Sequence, residues 1–250
     1  MERILVTGLS GLIGTAATPA LADRYDLTAL NRRDVDGVRT IRADLESGDP
    51  IDAAFEGIDT VVHLAAKISD DAGWNALLAL NVVGTRNVFE AARSNGVRRV
   101  VFASSGATVS GWERSEPYKA IVEGRYEDVP RLWDLVDEDM APRPGNLYAS
   151  TKVWGEAIAR HYAQSYGIEV SCLRIGYVND RDAPSDPRQY AVWLSQRDVV
   201  QGLLRAIEHS PEDGFDTFFL TSRNKWGYRS IRRAETRLDF SPVDEAEQHR

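Results

Sequence analysis

Tyr148 and Lys152 stand four positions apart in a segment with a helical pattern, so both side chains are expected on one face of that helix. A lysine ammonium beside a phenol stabilises the phenolate, which lowers the tyrosine pKa from about 10 toward the working range of a general base. The pair lies downstream of an apolar strand pattern that ends in Ser104 and Ser105. Because an ordinary amphipathic helix has the same spacing, the pair predicts acid–base chemistry only in combination with the rest of the chain.

A glycine-rich turn lies near the start of the chain. Residues 6–14 read Val-Thr-Gly-Leu-Ser-Gly-Leu-Ile-Gly, follow a short apolar run and open an alanine-rich helical pattern. A strand, a glycine turn and a helix in this order let a dinucleotide pyrophosphate bind backbone N–H groups at a helix N-terminus. Gly8 permits the tight turn, Gly11 lets the phosphates approach the backbone, and Gly14 lets helix and strand pack closely. The turn therefore predicts a dinucleotide cofactor.

Strand and helix patterns alternate along the chain, which predicts an α/β fold with a doubly wound parallel sheet of the Rossmann type. The predicted strands are residues 2–7, 26–30, 38–43, 60–64, 99–103, 169–174 and 217–220, and the predicted helices are 12–23, 49–55, 74–95, 148–166 and 197–208. Pro19 is expected to kink or shorten the first helix. Residues 105–146 lack clear periodicity and are expected to form a functional or poorly ordered loop.

The length favours a single domain over residues 1–250. Residues 1–175 would form mainly the dinucleotide-binding core, and residues 176–250 a small C-terminal cap that binds substrate. The net charge of −8 and the lack of a basic cluster argue against a nucleic-acid partner.

Composition also indicates the compartment and the chemistry of the site. The single cysteine, Cys172, excludes an internal disulfide and suits a reducing cytoplasm. No signal-peptide pattern is visible and no apolar stretch approaches the ~20 residues that span a bilayer, so we expect a cytoplasmic protein without membrane contact. The four histidines lie far apart in the sequence, which gives no support for a metal site.

The glycine turn, the serine pair and the Tyr–Lys pair together resemble the extended short-chain dehydrogenase/reductases, the NAD-dependent epimerase/dehydratase family. Further motifs follow in the order of that family: Asp44-Leu45, His63-Leu64-Ala65-Ala66, Asn81-Val82-Val83-Gly84-Thr85, Val101-Phe102-Ala103-Ser104-Ser105 and Leu173-Arg174-Ile175-Gly176. Within the family the chain most resembles the short bacterial uronate dehydrogenases. The shared features are the length, the Arg-Ile-Gly motif, and Arg188 placed five residues before a Trp-Leu-Ser motif.

The resemblance implies a role for each catalytic candidate. Tyr148 takes the proton of a sugar hydroxyl, while Lys152 holds the nicotinamide ribose and lowers the tyrosine pKa. Ser105 bonds the reacting oxygen, although Ser104 could do so if the register of this turn differs by one residue. Asn81 supports Lys152 through the helix.

The resemblance also implies which residues bind cofactor and substrate. Residues expected to touch the cofactor are Gly8, Ser10, Gly11, Leu12, Ile13, Gly14, Asn31, Arg32, Arg33, Asp44, Leu45, Leu64, Ala65, Ala66, Asn81, Tyr148, Lys152 and Ile175. Residues expected to touch the substrate are Ser69, Ser104, Ser105, Gly106, Tyr177 and Arg188. Arg188 would grip a substrate carboxylate through two hydrogen bonds, and its alternative interpretation is a solvated loop charge.

The end of the second strand bears on the choice of cofactor. An acidic residue about twenty positions past the glycines would accept bonds from the adenosine ribose and select NAD. The chain has Asn31, Arg32 and Arg33 there, which suit a 2′-phosphate and favour NADP, with NAD possible. A basic surface turn balanced by Asp34 and Asp36 is the alternative interpretation.

These observations predict an NAD(P)-dependent dehydrogenase that oxidises a free sugar or sugar acid to the lactone. The uronate enzymes carry polar residues where this chain has Gly106, Ala107 and Tyr177, so a neutral aldose is an open alternative to a uronate. Two further functions fit the same motifs: a sugar-nucleotide epimerase or dehydratase, and a non-catalytic dinucleotide sensor. The helices starting near Trp74 and Asn146 commonly form a dimer interface in the family, which makes a homodimer possible.

Overall fold

The computed structural model describes residues 1–46 and 51–250, and its seven strands form one parallel sheet. The strands are β1 (Arg3–Thr7), β2 (Asp26–Asn31), β3 (Arg39–Arg42), β4 (Thr60–His63), β5 (Arg99–Ser105), β6 (Glu169–Ile175) and β7 (Phe215–Leu220). Their order across the sheet is β3-β2-β1-β4-β5-β6-β7. The order reverses at β1 and β4, and parallel sheets bind ligands outside such a reversal.

Helices cover both faces of the sheet. They are α1 (Leu12–Arg24), α2 (Trp74–Ala76), α3 (Thr85–Ser94), α4 (Tyr118–Glu123), α5 (Leu147–Tyr166), α6 (Pro187–Val192), α7 (Gln196–Glu208) and α8 (Arg232–Arg237). Along β1, Ile4 and Val6 pack toward α1 and α7, whereas Leu5 packs toward α3 and α5. A strand buried on both faces is apolar at successive positions, as β1 is. The predicted doubly wound fold is confirmed.

Two predicted helices differ from expectation in their details. The segment predicted as one helix over 74–95 begins with α2, continues as a π-helix over Leu77–Gly84 and ends with α3. α1 continues past Pro19 to Arg24, so the proline does not end it. Of the helix predicted over 49–55, Asp52–Phe55 forms a 3₁₀ turn, whereas residues 49 and 50 lie outside the described residues.

The expected loop over 105–146 is corrected, because this segment is folded. It contains a 3₁₀ helix over Gly106–Arg114, then α4, then a 3₁₀ turn over Tyr126–Asp128. Its apolar side chains join residues from the last quarter of the chain in a third core, the cap core, made of Val109, Tyr118, Ile121, Val136, Ala191, Val192, Phe219 and Tyr228. Short helices that pack against distant residues leave no long periodic pattern in the sequence.

The sheet extends beyond residue 175 and includes the last predicted strand, near residues 217–220. β7 pairs with β6, and α7 packs beside α1 on the sheet. The cap core therefore combines residues of the 105–146 segment with α6 and the chain after β7. Among the described helices, none is long and apolar enough to cross a membrane.

Candidate active site

A cavity of about 1130 Å³ opens at the carboxyl ends of the strands. The turns that follow β1, β2, β3, β4 and β6 line this cavity, together with the end of β5 and the start of α5. The described residues on the cap side include Glu113, Arg188 and Arg229. This is the position at which an open parallel sheet binds a dinucleotide and its substrate.

The glycine turn has the geometry that a bound pyrophosphate needs. Gly8 has φ +73°, and a Cβ there would lie 2.7 Å from the backbone nitrogen of Ala65. A Cβ on Gly14 would lie 2.3 Å from the carbonyl oxygen of Leu9, so only glycine lets α1 pack this closely against the turn that follows β1. α1 begins without a side-chain cap, which leaves its first N–H groups to bind an anion. These features fit a dinucleotide.

A buried histidine joins the glycine turn to the neighbouring strand and helix. The His63 ring lies 2.7 Å through Nδ1 from the Thr7 hydroxyl and 3.1 Å through Nε2 from the Thr85 hydroxyl. Thr7 also accepts a hydrogen bond from the N–H of Ala65. Complete burial lowers the His63 pKa to about 3, with a smaller effect from the Lys152 charge, so the ring is neutral at pH 7.

The adenosine end of the cavity is formed by the ends of β2 and β3. Asn31, Arg32 and Arg33 all line it, and Asn31 is buried with a side-chain nitrogen that none of the described residues bonds. The carboxylate of Asp34 forms two hydrogen bonds with Arg42. An unbonded buried amide beside two arginines fits a ligand that brings its own hydrogen-bond acceptors.

Tyr148 lies in the first turn of α5, which is held at its N-terminus by two side chains. Asn146 caps the helix by accepting from the N–H of Ala149 (2.8 Å). Asp70 accepts from the N–H groups of Leu147 (3.1 Å) and Tyr148 (2.7 Å). The carboxylate therefore fixes the backbone of the candidate base.

The two serines at the end of β5 have different partners. Ser104 donates to the buried carboxylate of Glu156 at 2.5 Å, and Glu156 in turn pairs with Arg174 through two hydrogen bonds. Ser105 instead accepts from the N–H of Ala107 at 3.1 Å, and both Ser105 and Tyr148 line the cavity. Burial raises the Tyr148 pKa, and the Ser105 hydrogen bond opposes part of that shift. Between the two serines, the geometry favours Ser105 as the one beside the reacting oxygen.

Lys152 is buried and directed toward the sheet. Its Nζ donates to the carbonyl oxygen of Ala103 at 2.7 Å and lies 5.0 Å from the centre of the Phe102 ring. Burial lowers the Lys152 pKa to about 8, although the charges of Cys172 and Glu156 oppose the shift. The expected lowering of the Tyr148 pKa by Lys152 stays a prediction.

Asn81 lies in the π-helical segment, does not line the cavity, and is hydrogen-bonded to α5. Its amide exchanges two hydrogen bonds with the backbone of Lys67 and donates to the hydroxyl of Thr151 at 3.0 Å. Thr151 immediately precedes Lys152, so Asn81 joins the turn after β4 to the helix that carries the candidate base. A π-helical turn at such a place is common in functional sites.

A cluster of charged residues forms the cap side of the cavity. Arg188, at the start of α6, makes two hydrogen bonds to Glu113, at 2.7 and 2.9 Å. The hydroxyl of Tyr228 donates to the same carboxylate at 2.6 Å, and Arg229 lies 3.8 Å from it. Arg188 is 38% exposed, so it is neither a purely solvated charge nor unpaired.

No motif in the sequence identifies Glu113, Tyr228 or Arg229, because Glu113 lies 115 positions before the adjacent Tyr228 and Arg229. One signal was available at Gly106. A Cβ there would lie 2.0 Å from Nη1 of Arg229, so the glycine leaves room for the guanidinium. For the same reason Gly106 itself is covered and does not line the cavity.

Every residue expected to bind the cofactor lines the cavity except Asn81, which acts from behind it. Among the expected substrate residues, Ser104, Ser105, Tyr177 and Arg188 line it. Ser69 does not, because its hydroxyl bonds both the carboxylate and the N–H of Asp71. Within the described part of the chain, no three histidine, cysteine, aspartate or glutamate side chains are grouped to hold a metal ion.

Comparison with known proteins bears directly on this site. The NAD dependent epimerase/dehydratase family matches residues 4–179. L-arabinose 1-dehydrogenase (NAD(P)(+)) of Haloferax volcanii is 34% identical over 253 residues, covering 98% of this chain and 97% of the relative. NAD-dependent glucose-6-phosphate dehydrogenase of the same organism is 30% identical, covering 97% of this chain and 94% of the relative. The crystal structure of uronate dehydrogenase from Agrobacterium tumefaciens has a TM-score of 0.81 at 29% identity, covering 99% of this chain and 86% of that one.

These three similar proteins are dehydrogenases that act on a neutral sugar, a sugar phosphate and a sugar acid. They confirm the predicted class of NAD(P)-dependent oxidoreductases acting on a CH–OH group. The match covers the glycine turn, Ser105, Tyr148 and Lys152, and the cavity brings all four features together. The chain belongs to the NAD-dependent epimerase/dehydratase family.

Proposed function

We propose that the protein is an NAD(P)-dependent sugar dehydrogenase that oxidises the anomeric hydroxyl of a free sugar to a lactone. The observation that carries this proposal is that Tyr148, Ser105 and Lys152 line the same cavity as the glycine turn. The similarity to dehydrogenases of free sugars over nearly the whole chain supports it.

The proposed reaction removes a hydride and a proton from the sugar. Tyr148 accepts the proton from the anomeric hydroxyl, and Ser105 bonds the same oxygen and holds it beside the phenol. The bound nicotinamide cofactor supplies the acceptor for the hydride from the anomeric carbon. The carbon–oxygen single bond becomes the carbonyl of the lactone, so a hydride, which carries two electrons, and one proton leave the sugar.

Lys152 and Asn81 position the base and the ribose. We propose that the ammonium of Lys152 leaves the Ala103 carbonyl to bond the nicotinamide ribose, where its charge favours the phenolate of Tyr148. Asn81 keeps α5 and the turn after β4 in register through Thr151 and Lys67.

NADP is the proposed preferred cofactor. Asn31, Arg32 and Arg33 line the adenosine end, where Arg32 lies 3.9 Å from the Glu46 carboxylate and Asp34 is bound by Arg42. Arg32 and Arg33 are both exposed, and two exposed guanidinium groups suit a ribose 2′-phosphate. A higher kcat/KM with NADP than with NAD is the expected result, and the opposite order would contradict the preference.

The experiment that tests the function follows reduced nicotinamide absorbance while the pure protein meets neutral aldoses, uronates and sugar phosphates with each cofactor. Tyr148→Phe is expected to lower kcat by about 10²- to 10⁴-fold because it removes the general base. Cofactor binding, measured by quenching of protein fluorescence, should persist in the variant. Turnover that survives in Tyr148→Phe would contradict the proposed base.

The same measurements separate the competing functions. A sugar-nucleotide epimerase or dehydratase would leave all free sugars unchanged and act on a nucleotide sugar. A dinucleotide sensor would bind the cofactor and oxidise nothing. The cap is small for a nucleotide sugar. Part of the chain after residue 175 belongs to β7 and to α7, which lie in the sheet and on it rather than in the cap. A homodimer through the faces of α3 and α5 is a further proposal, tested by sedimentation at micromolar concentration.

A further inference from the structure

Glu113 is bound to Arg188, the arginine to which the resemblance assigns the carboxylate of a substrate. Arg188 donates from Nε to one carboxylate oxygen of Glu113 at 2.7 Å and from Nη2 to the other at 2.9 Å. Two parallel hydrogen bonds of this kind are how a guanidinium binds an acidic ligand. The chain thus supplies its own carboxylate at the place where an acidic sugar would bring one.

The Glu113 carboxylate is fixed in this position from several sides. Its side chain is 13% exposed and lies on the 3₁₀ helix after β5, whereas Arg188 comes from α6. The hydroxyl of Tyr228 donates to it at 2.6 Å, and Arg229, which is 2% exposed, also donates to that hydroxyl. Movement of Glu113 away from Arg188 would leave the buried Tyr228 hydroxyl without its acceptor and the buried Arg229 guanidinium without its counter-charge, which is costly.

The charge of Glu113 raises the pKa of both side chains that donate to it, Arg188 and Tyr228. Burial lowers the Arg188 pKa, but the hydrogen bonds and charge of Glu113 outweigh burial and raise it overall. Burial also raises the pKa of Tyr228, with a further rise from Glu113, so the phenol stays protonated and donates to the carboxylate. The cluster therefore holds a carboxylate that already accepts hydrogen bonds on both oxygens.

We infer that Glu113 is a specificity-determining residue that closes Arg188 to acidic sugars, so that neutral aldoses are the substrates. This inference rests on the proposed function. A carboxylate or phosphate on the sugar would lie beside Glu113, and two like charges repel strongly in a poorly solvated cavity. A sugar hydroxyl is both donor and acceptor, so it can bond either member of the Arg188–Glu113 pair without a change in charge.

The test compares kcat/KM for neutral aldoses, the corresponding uronates and glucose 6-phosphate in wild type and in Glu113→Gln. Wild type should prefer the neutral aldoses. Glu113→Gln keeps the size of the side chain but removes its charge and one acceptor oxygen. One of the two N–H groups with which Arg188 binds Glu113 then becomes free. The uronate-to-aldose ratio of kcat/KM should then rise about tenfold or more, which corresponds to about 1.4 kcal/mol.

Further variants assign the effect to the pair. Glu123→Gln is the matched control, because Glu123 is ion-paired with Arg125 and lies outside the cavity. It should leave the ratio unchanged. Adding Arg188→Gln to Glu113→Gln should remove the gain toward uronates. Tyr228→Phe removes one hydrogen bond that holds Glu113, keeps the charges, and should give a smaller rise in the same direction.

Each remaining result has a distinct meaning. A wild type that prefers a uronate or glucose 6-phosphate overturns the inference and leaves the proposed dehydrogenase intact. An unchanged ratio in both Glu113→Gln and Tyr228→Phe, with cofactor binding retained, also overturns it. A wild type that oxidises none of the sugars overturns the proposed function itself.

Discussion

Tyr148 is held in its protonated form in the resting protein. Burial raises the pKa of its phenol, the Ser105 hydrogen bond opposes the shift, and the Lys152 ammonium is bonded to Ala103 rather than to the phenol. The tyrosinate absorbance of Tyr148 is the part that wild type shows and Tyr148→Phe lacks. Without cofactor, this absorbance should therefore appear above pH 10. Ser105→Ala should move it higher, because that variant loses the opposing hydrogen bond.

A Tyr148 titration below pH 10 in the cofactor-free protein would contradict this arrangement. It would mean that Lys152 already acts on the phenol in solution. Addition of cofactor to the same sample provides the internal comparison, since the proposed movement of Lys152 toward the ribose should lower the titration point.

Among single residues, the catalytic candidates were predictable from their motifs, but the side chains that bond them were not. The types and spacing of Tyr148 and Lys152 identify them from the sequence, but the choice between Ser104 and Ser105 needs the strand register, because neighbours on a strand point to opposite sides. Only the buried Glu156 beneath Ser104 resolves it. Glu113 lies 75 positions from Arg188, and no local pattern reveals such a pairing.

At the element scale, the position of α5 depends on a side chain outside it. Asp70 follows β4 in the chain and accepts from the N–H groups of Leu147 and Tyr148. A carboxylate at a helix N-terminus stabilises it by about 0.3–1 kcal/mol, and Asn retains the acceptor without the charge. Asp70→Asn should therefore lower the free energy of unfolding by several tenths of a kcal/mol.

Asp70→Asn should also lower kcat while leaving KM for the cofactor unchanged, because it loosens the backbone of Tyr148 and not the glycine turn. Asp71→Asn is the matched control, since Asp71 bonds only Ser69 among the described residues and does not reach α5. Equal losses of kcat in the two variants would show that Asp70 has no special role in placing Tyr148.

Elements that face one continuous core were the easiest to predict. The strands other than the edge strand β3 are runs of mostly buried residues between turn signals, and α7 repeats its apolar positions along one face. The short helices between Gly106 and Asp128 share their core with α6 and Tyr228, far along the chain. Their fold is determined by distant contacts, so local periodicity could not predict it.

At the scale of the whole molecule, stability in acid depends on one buried histidine. His63 holds β1 and α3 together through Thr7 and Thr85, and burial lowers its pKa to about 3. An unfolded chain takes up a proton at this position near pH 6.5, whereas the folded chain does not. The free energy of unfolding therefore falls as pH decreases from about 6.5 toward 3, by on the order of 4 kcal/mol over the full range.

His63→Gln should make the unfolding free energy less dependent on pH in that window, because an amide bonds both threonines but takes up no proton. Urea unfolding at a series of pH values measures this slope, and His161→Gln, on the exposed surface of α5, is the control. At pH 7 the variant should lose stability through imperfect packing, so its curve should approach that of wild type as the pH falls. Curves that stay parallel would show that His63 does not couple folding to protonation.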